Sequence, residues 1–211
     1  MVGEDEVERE CDMAELLYQG HGSLRLITEK GTVVYIDPFM GEGYDVPANL
    51  ILVTHQHYDH TATNKMPHAV DCVVWQNGDS HPDAATYLRK RFGDVTVEAT
   101  EAYNDMHPKE QCVGYLVEVD GLRLYFAGDT STTDQMRTLA ERSIDYAFLP
   151  GDGIYNMDVA EAARCAALIG ATHNVPIHLK PVKPYGESEA RRFAELAPNA
   201  LLVRAGEVIT L

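Results

Sequence analysis

The sequence predicts an α/β fold. Short apolar runs bounded by Gly and Pro turns alternate with segments that carry helix start and stop signals. One apolar run, Leu50 to Val53, ends in a cluster of three His and one Asp within six residues. Residues 14–18, 23–28, 32–36 and 50–53 read as strands joined by turns at Gly20, Gly31 and Pro38. Pro82 suits the first turn of a helix that would stop near Gly93. Residues 112–119 and 122–126 read as two further strands. Thr132 is a candidate cap for a helix through Arg142. Asp158, with Glu161 three residues later, has the spacing of a capping box, and Gly170 is a natural stop. Ser188 opens a last helix that ends before Pro198, and 201–204 and 208–211 close the chain as strands. Periodicity by itself goes no further than mixed α and β.

A chain of 211 residues fits one domain better than two. Residues 1–12 are acidic and lack the basic-then-apolar order of a secretion signal, so they read as a frayed tail before one domain, 13–211. No apolar run is long enough to span a bilayer. The four Cys, at 11, 72, 112 and 165, form no CxxC pair and read as reduced thiols, which favours a cytoplasmic setting. Net charge is −16, from 33 acidic against 17 basic residues. Such a surface repels phosphate backbones and anionic membrane, which disfavours nucleic acid and lipid as partners. Only six Lys are present, which also suits high salt.

The cluster is His55-Gln56-His57-Tyr58-Asp59-His60. Alternate residues of extended chain point the same way, so His55 and His57 can face one ion. Asp59 and His60 then turn toward a second. Imidazole suits zinc and similar borderline ions, and a carboxylate suits a harder one. One loop cannot complete two coordination shells. His107, Asp129 and His178 each sit where a strand meets a loop, which is where scaffolds place functional groups.

This ordered set resembles the metallo-β-lactamase fold superfamily, in its compact metal-dependent hydrolase branch. The matching pieces are T-H-Q-H-Y-D-H at 54–60, a His at 107, G-D-T at 128–130 and V-P-I-H at 175–178, with G-H-G-S at 20–23 and I-D-P-F at 36–39. The resemblance implies a four-layer αββα sandwich of two mixed sheets flanked by helices. It implies that His55, His57 and His107 hold one metal, that Asp59, His60 and His178 hold a second, and that Asp129 bridges them. Asn104 stands where many relatives carry the third His, so His107 takes that role from three residues on. Two divalent ions are expected, Zn first, with Mn or Fe also compatible. A hydroxide shared by the ions would attack a small-molecule ester, lactone, amide or phosphoester. The alternatives are mononuclear iron oxidoreduction on the same fold, or metal binding without turnover.

Further residues invite roles. Asp59 and His21 are the expected catalytic groups, Asp59 on the nucleophile and His21 beside the metals. Asp37 is a candidate to orient a metal-bound His. Lys180 and Lys183 would hold an anionic substrate group, with Tyr58 lining the pocket or donating to an oxyanion. Tyr103 has the same two readings. The glycine-rich stretch 151–156 reads as an entry loop to the helix at Asp158, either a rim of the pocket or a plain connector. His68, His81 and His173 match no ligand position and read as surface residues.

Overall fold

Two six-stranded sheets stack face to face, and the metal-type side chains gather where their strands end. The computed structural model describes residues 13–211; the acidic segment 1–12 lies outside them. The chain runs β1 (Glu15–Gly20), β2 (Ser23–Ile27), β3 (Val33–Ile36), β4 (Ala48–Val53), β5 (His68–Gln76), a short α1 (Asn77–Ser80), β6 (Arg89–Phe92), β7 (Val95–Glu101), β8 (Val113–Val119) and β9 (Leu122–Phe126). It continues through α2 (Met136–Leu139) with a 3-10 turn to Arg142, β10 (Tyr146–Pro150), α3 (Val159–Ile169), β11 (His173–Ile177), α4 (Glu187–Leu196) and β12 (Val208–Thr210). The sheet orders are β12-β1-β2-β3-β4-β5 and β11-β10-β9-β8-β7-β6. Each sheet is mixed: β3, β4 and β5 are parallel, as are β9, β10 and β11, and the other pairs are antiparallel.

Period-2 alternation sorts the side chains of β8 between two layers. Tyr115 and Val117 enter the core between the sheets, against Leu24, Ile36, Leu50 and Leu52. Leu116 points the other way, toward Met136, Ala162, Ala166, Ile169 and Phe193 of α2, α3 and α4. Those three helices cover the second sheet. The outer face of the first sheet carries Val33, Tyr35, Ile51 and Val53 and is capped by Tyr44, Val46 and Met66 from loops, with α1 at its β5 edge. α3 begins and ends as the sequence foretells. The Asp158 side chain accepts from Glu161 N, and Gly170 closes the helix at φ 67°.

Four sequence expectations change, at 82–93, Thr132, 201–204 and His81. The helix expected from Pro82 to Gly93 is absent; β6 occupies its second half. Phe92 pairs with Val95, so Gly93 and Asp94 form a two-residue hairpin turn. Gly93 has φ 59°, and both a helix stop and a hairpin turn need that conformation, so the residue alone did not separate them. Thr132 caps nothing: its hydroxyl donates to Glu161, and α2 starts four residues later. Residues 201–204 run beside β11 without joining its ladder, touching it through an Asn174–Ala200 bridge. His81 is buried and stacked on Tyr87, while His68 is exposed as expected. Of the thiols, Cys112 and Cys165 are buried, Cys72 is half-buried, all three are free, and Cys11 lies outside the described residues. Among the described residues no helix is long and apolar enough to cross a membrane.

The parallel halves of both sheets point their carboxyl ends to one edge, where a crevice for a ligand is expected. Asp37 follows β3, the 54–60 loop follows β4, Asp129 follows β9, Asp152 follows β10 and His178 follows β11. Gly114 lets β7, β8 and β9 pack closely within the second sheet there. A Cβ on it would lie 2.6 Å from Thr100 Oγ1 and 2.8 Å from the Phe126 carbonyl. Gly114→Ala is therefore expected to lower stability by about 1–3 kcal/mol through overpacking, read as a reduced Tm; an unchanged Tm would show that β7 and β9 yield freely.

Candidate metal centre

Asp37 fixes the motif loop. Its backbone is left-handed, φ 44°, and its carboxylate turns back under β4. Oδ1 accepts from Thr54 N at 2.8 Å and Oδ2 from Thr54 Oγ1 at 2.7 Å. The Thr54 hydroxyl proton is thus committed, so its oxygen accepts from His55 Nδ1 at 3.0 Å. That sets the tautomer: His55 Nε2 carries a lone pair, is buried, and has no protein partner. Asp37 reaches a second ring of the cluster as well: His60 Nδ1 lies 2.9 Å from Asp37 Oδ2.

The same logic repeats on two more rings. Asn104 Oδ1 accepts from the backbone N–H of Met106 and His107, and Asn104 Nδ2 donates to the Tyr155 carbonyl, which fixes the amide's orientation. His107 Nδ1 therefore donates to Asn104 Oδ1 at 3.0 Å, and its Nε2 faces His57 Nδ1 at 3.2 Å. His178 Nδ1 lies 3.0 Å from Asp152 Oδ2, leaving Nε2 buried without a hydrogen-bond partner. Partners on the outer nitrogens that aim the inner ones are what metal-binding imidazoles require.

Asp129 sits between the two groups of rings. Its oxygens lie 3.4 Å from His107 Nε2, 3.5 Å from His178 Nε2 and 3.6 Å from His60 Nε2. His55, His57 and His107 offer ligand atoms within 4.8 Å of one another, as do His21, Asp59, His60 and His178, and as do His55, His60 and Asp129. All seven expected ligands thus converge. His21 joins them: its Nε2 lies 3.1 Å from Asp59 Oδ2 and its ring packs 3.7 Å, centroid to centroid, from His178. Gly22 makes room, since a Cβ there would come within 3.2 Å of His60 Cε1. His21 and His178 share the left-handed backbone of Asp37, φ 57° and 46°. Such outliers gather at sites whose geometry the surroundings over-determine.

Electrostatics divide the centre. Burial, then the neighbouring His60, pushes His55 down to about 2, and burial also lowers His107; both offer lone pairs. Burial opposes the charged forms of His60 and His178, but Asp129, with Asp37 or Asp152, outweighs it and raises both. Burial likewise opposes ionisation of Asp129, and His178 and His60 overcome it. Asp59 goes to about 2, burial being outweighed chiefly by the hydrogen bond from His21. The carboxylates are ionised and draw protons onto imidazoles; a bound cation would displace those protons. Buried, inward-facing nitrogens without partners, beside ionised carboxylates, fit divalent metal ions.

The remaining expectations resolve by position. Tyr58 stands exposed at the mouth of the pocket over the centre. Lys180 pairs with Glu189 and, with Lys183, lines a separate groove along α4. Tyr103 lines a neighbouring cleft. The 151–156 loop is more than a connector: Asp152 Oδ1 accepts from the N–H groups of Ile154, Tyr155 and Asn156 while Oδ2 holds His178. Sequence reasoning missed Asp152, Asn104 and Thr54. The one available signal was an Asp directly after a strand, the pattern already noted at Asp37 and Asp129.

Stacked mixed sheets with a His/Asp centre at their strand ends define a metal-dependent hydrolase of the metallo-β-lactamase type. The chain belongs to the beta-lactamase superfamily domain family, whose model matches residues 15–178. It is 29% identical to a UPF0173 metal-dependent hydrolase of Thermus thermophilus, over 94% of this chain and 100% of that one. It is 30% identical to another from Lysinibacillus sphaericus, over 92% and 98%. The crystal structure of a proposed metal-dependent hydrolase from Parabacteroides distasonis superposes with a TM-score of 0.71 at 26% identity, covering 90% of this chain and 92% of that one.

Asn104 gives a direct check on the orientation argument. Asn104→Ala is expected to weaken metal binding roughly 10–100-fold, measured by competition with a chelator. Unchanged affinity would mean His107 is aimed by something else.

Proposed function

We propose that the chain is a dinuclear hydrolase of small molecules, with an ester, lactone, amide or phosphoester as the bond cleaved. The observation that carries this is the convergence of five imidazoles and two carboxylates, in overlapping groups, at the base of a pocket of about 390 Å³. A cavity of that size suits a small ligand. His55, His57 and His107 would hold one ion, Asp59, His60 and His178 the other, with Asp129 between them. Zn is the first expectation, and Mn or Fe fits the same donors. When bound, such a pair supplies a water of lowered pKa and Lewis-acid stabilisation of the attacked oxygen.

The chain's own groups do the rest. His178 and His60 flank Asp129 at 3.5 and 3.6 Å and restrain its carboxylate. Asp59, held ionised by the hydrogen bond from His21, is placed to take the proton of the attacking water. His21 is pinned between Asp59 and the His178 ring, so it restrains the direction of the Asp59 carboxylate. Tyr58, packed edge-on against Phe39 at 5.6 Å, sits at the opening where a substrate enters.

His57→Ala and Asp129→Ala test the assignment. Each is expected to lower bound metal below two equivalents per chain and to reduce hydrolysis by more than about a hundredfold, with elemental analysis and turnover measured on the same preparation. Full metal content in both variants would contradict it.

A further inference from the structure

We infer that the part of the substrate that does not react is uncharged and apolar, so that the compound cleaved is a carboxylic ester or lactone with a hydrocarbon tail. This rests on the hydrolytic reading above and specifies its substrate. The argument starts from the wall of the pocket. Apart from the metal-type residues it is lined, among the described residues, by Gln56, Tyr58, Met106, Tyr155, Pro181 and Val182, and by no Lys or Arg. Tyr58, Met106, Tyr155 and Val182 are 66%, 56%, 46% and 55% exposed. Large apolar side chains exposed singly carry no message, but four around one opening mark a surface that an apolar ligand covers.

Val182 adds an independent observation. Its φ is 49°, a left-handed conformation that is a true outlier for a β-branched residue. Gly or Asn would sit there with less strain. The segment cannot relax, because prolines flank it at 181 and 184 and the Pro184 carbonyl accepts from His21 N at 2.8 Å. Strain retained beside a centre points to a use. Here it presents a branched hydrocarbon at the mouth of the pocket.

The basic side chains are placed elsewhere. Lys180 is tied to Glu189, and Lys183 opens with Arg191 and Arg192 onto the α4 groove. An anionic tail would meet Asp59 at the base of the pocket and a chain of net charge −16. The bound cations would act on the reacting oxygens alone. In the reaction, water adds to the carbonyl carbon and the acyl C–O bond breaks. The products are a carboxylate, an alcohol and one proton, which Asp59 passes on; a lactone opens to one hydroxy acid.

The test uses the metal-loaded chain with p-nitrophenyl acetate, butyrate, hexanoate and octanoate. p-Nitrophenyl succinate serves as the anionic acyl ester, and bis-p-nitrophenyl phosphate as the phosphodiester. Expected is a rise in kcat/KM approaching about fourfold per methylene until the pocket is filled, with hexanoate far ahead of succinate. Met106→Ser and Val182→Asn should flatten that rise. Val182→Asn should at the same time keep or raise Tm, since Asn tolerates the backbone better; loss of fold cannot produce that pair of results. A flat series, a preference for succinate, cleavage of the phosphodiester alone, or silence on every ester with full metal content would each overturn this inference and leave the hydrolytic reading standing. A chain that retains no metal would overturn both.

Discussion

The structure turns on one buried carboxylate. Asp129 is removed from water, ionised, and surrounded by imidazole nitrogens at 3.4–3.6 Å. An ionised group in that position is costly unless positive charge stands beside it. The imidazoles supply it partly, by holding protons on His60 and His178. On the other side His55 and His107 are held neutral, with lone pairs pointing inward. His55 Nε2 and His178 Nε2 are buried with no hydrogen-bond partner. Bound metal ions would satisfy them.

Around that point the fold is rigid by construction. The candidate ligands come from the ends of β4, β9 and β11 and from the turn at 104–107, and four of the five imidazoles are backed by a neighbour: His55 by Thr54, His60 by Asp37, His107 by Asn104 and His178 by Asp152. Asp37 does most, since one carboxylate fixes the Thr54 backbone, the Thr54 hydroxyl and the His60 ring. Through Thr54 it also sets the tautomer of His55. The left-handed backbone at His21, Asp37 and His178 is tied by hydrogen bonds from their N–H groups to the carbonyls of Pro184, Leu52 and His21. Preorganised side chains of this kind lose little freedom when an ion or substrate binds.

What was legible in the sequence follows from range. The 55–60 cluster could be read because strand alternation and a short loop bring its members together whatever the rest of the chain does. Asp129 and His178 were legible because each ends an apolar run. The resemblance supplied the four-layer arrangement, which periodicity did not. The roles of Asn104 and Asp152 were hidden because each depends on a turn bending a side chain back onto a distant ring. Lys180 and Lys183 line a different groove for the converse reason. They adjoin His178 in sequence, but the chain turns at Pro181 and Pro184, and α4 draws Lys180 to Glu189. The 82–93 helix failed because Gly93 serves a hairpin as well as it serves a helix end.

The most direct measurement is anomalous diffraction across the zinc absorption edge from crystals of the chain grown with zinc. The account requires two anomalous peaks about 3.5–4 Å apart, one beside His55, His57 and His107 and the other beside Asp59, His60 and His178, with Asp129 between. A single peak, or none within reach of Asp129, would contradict it.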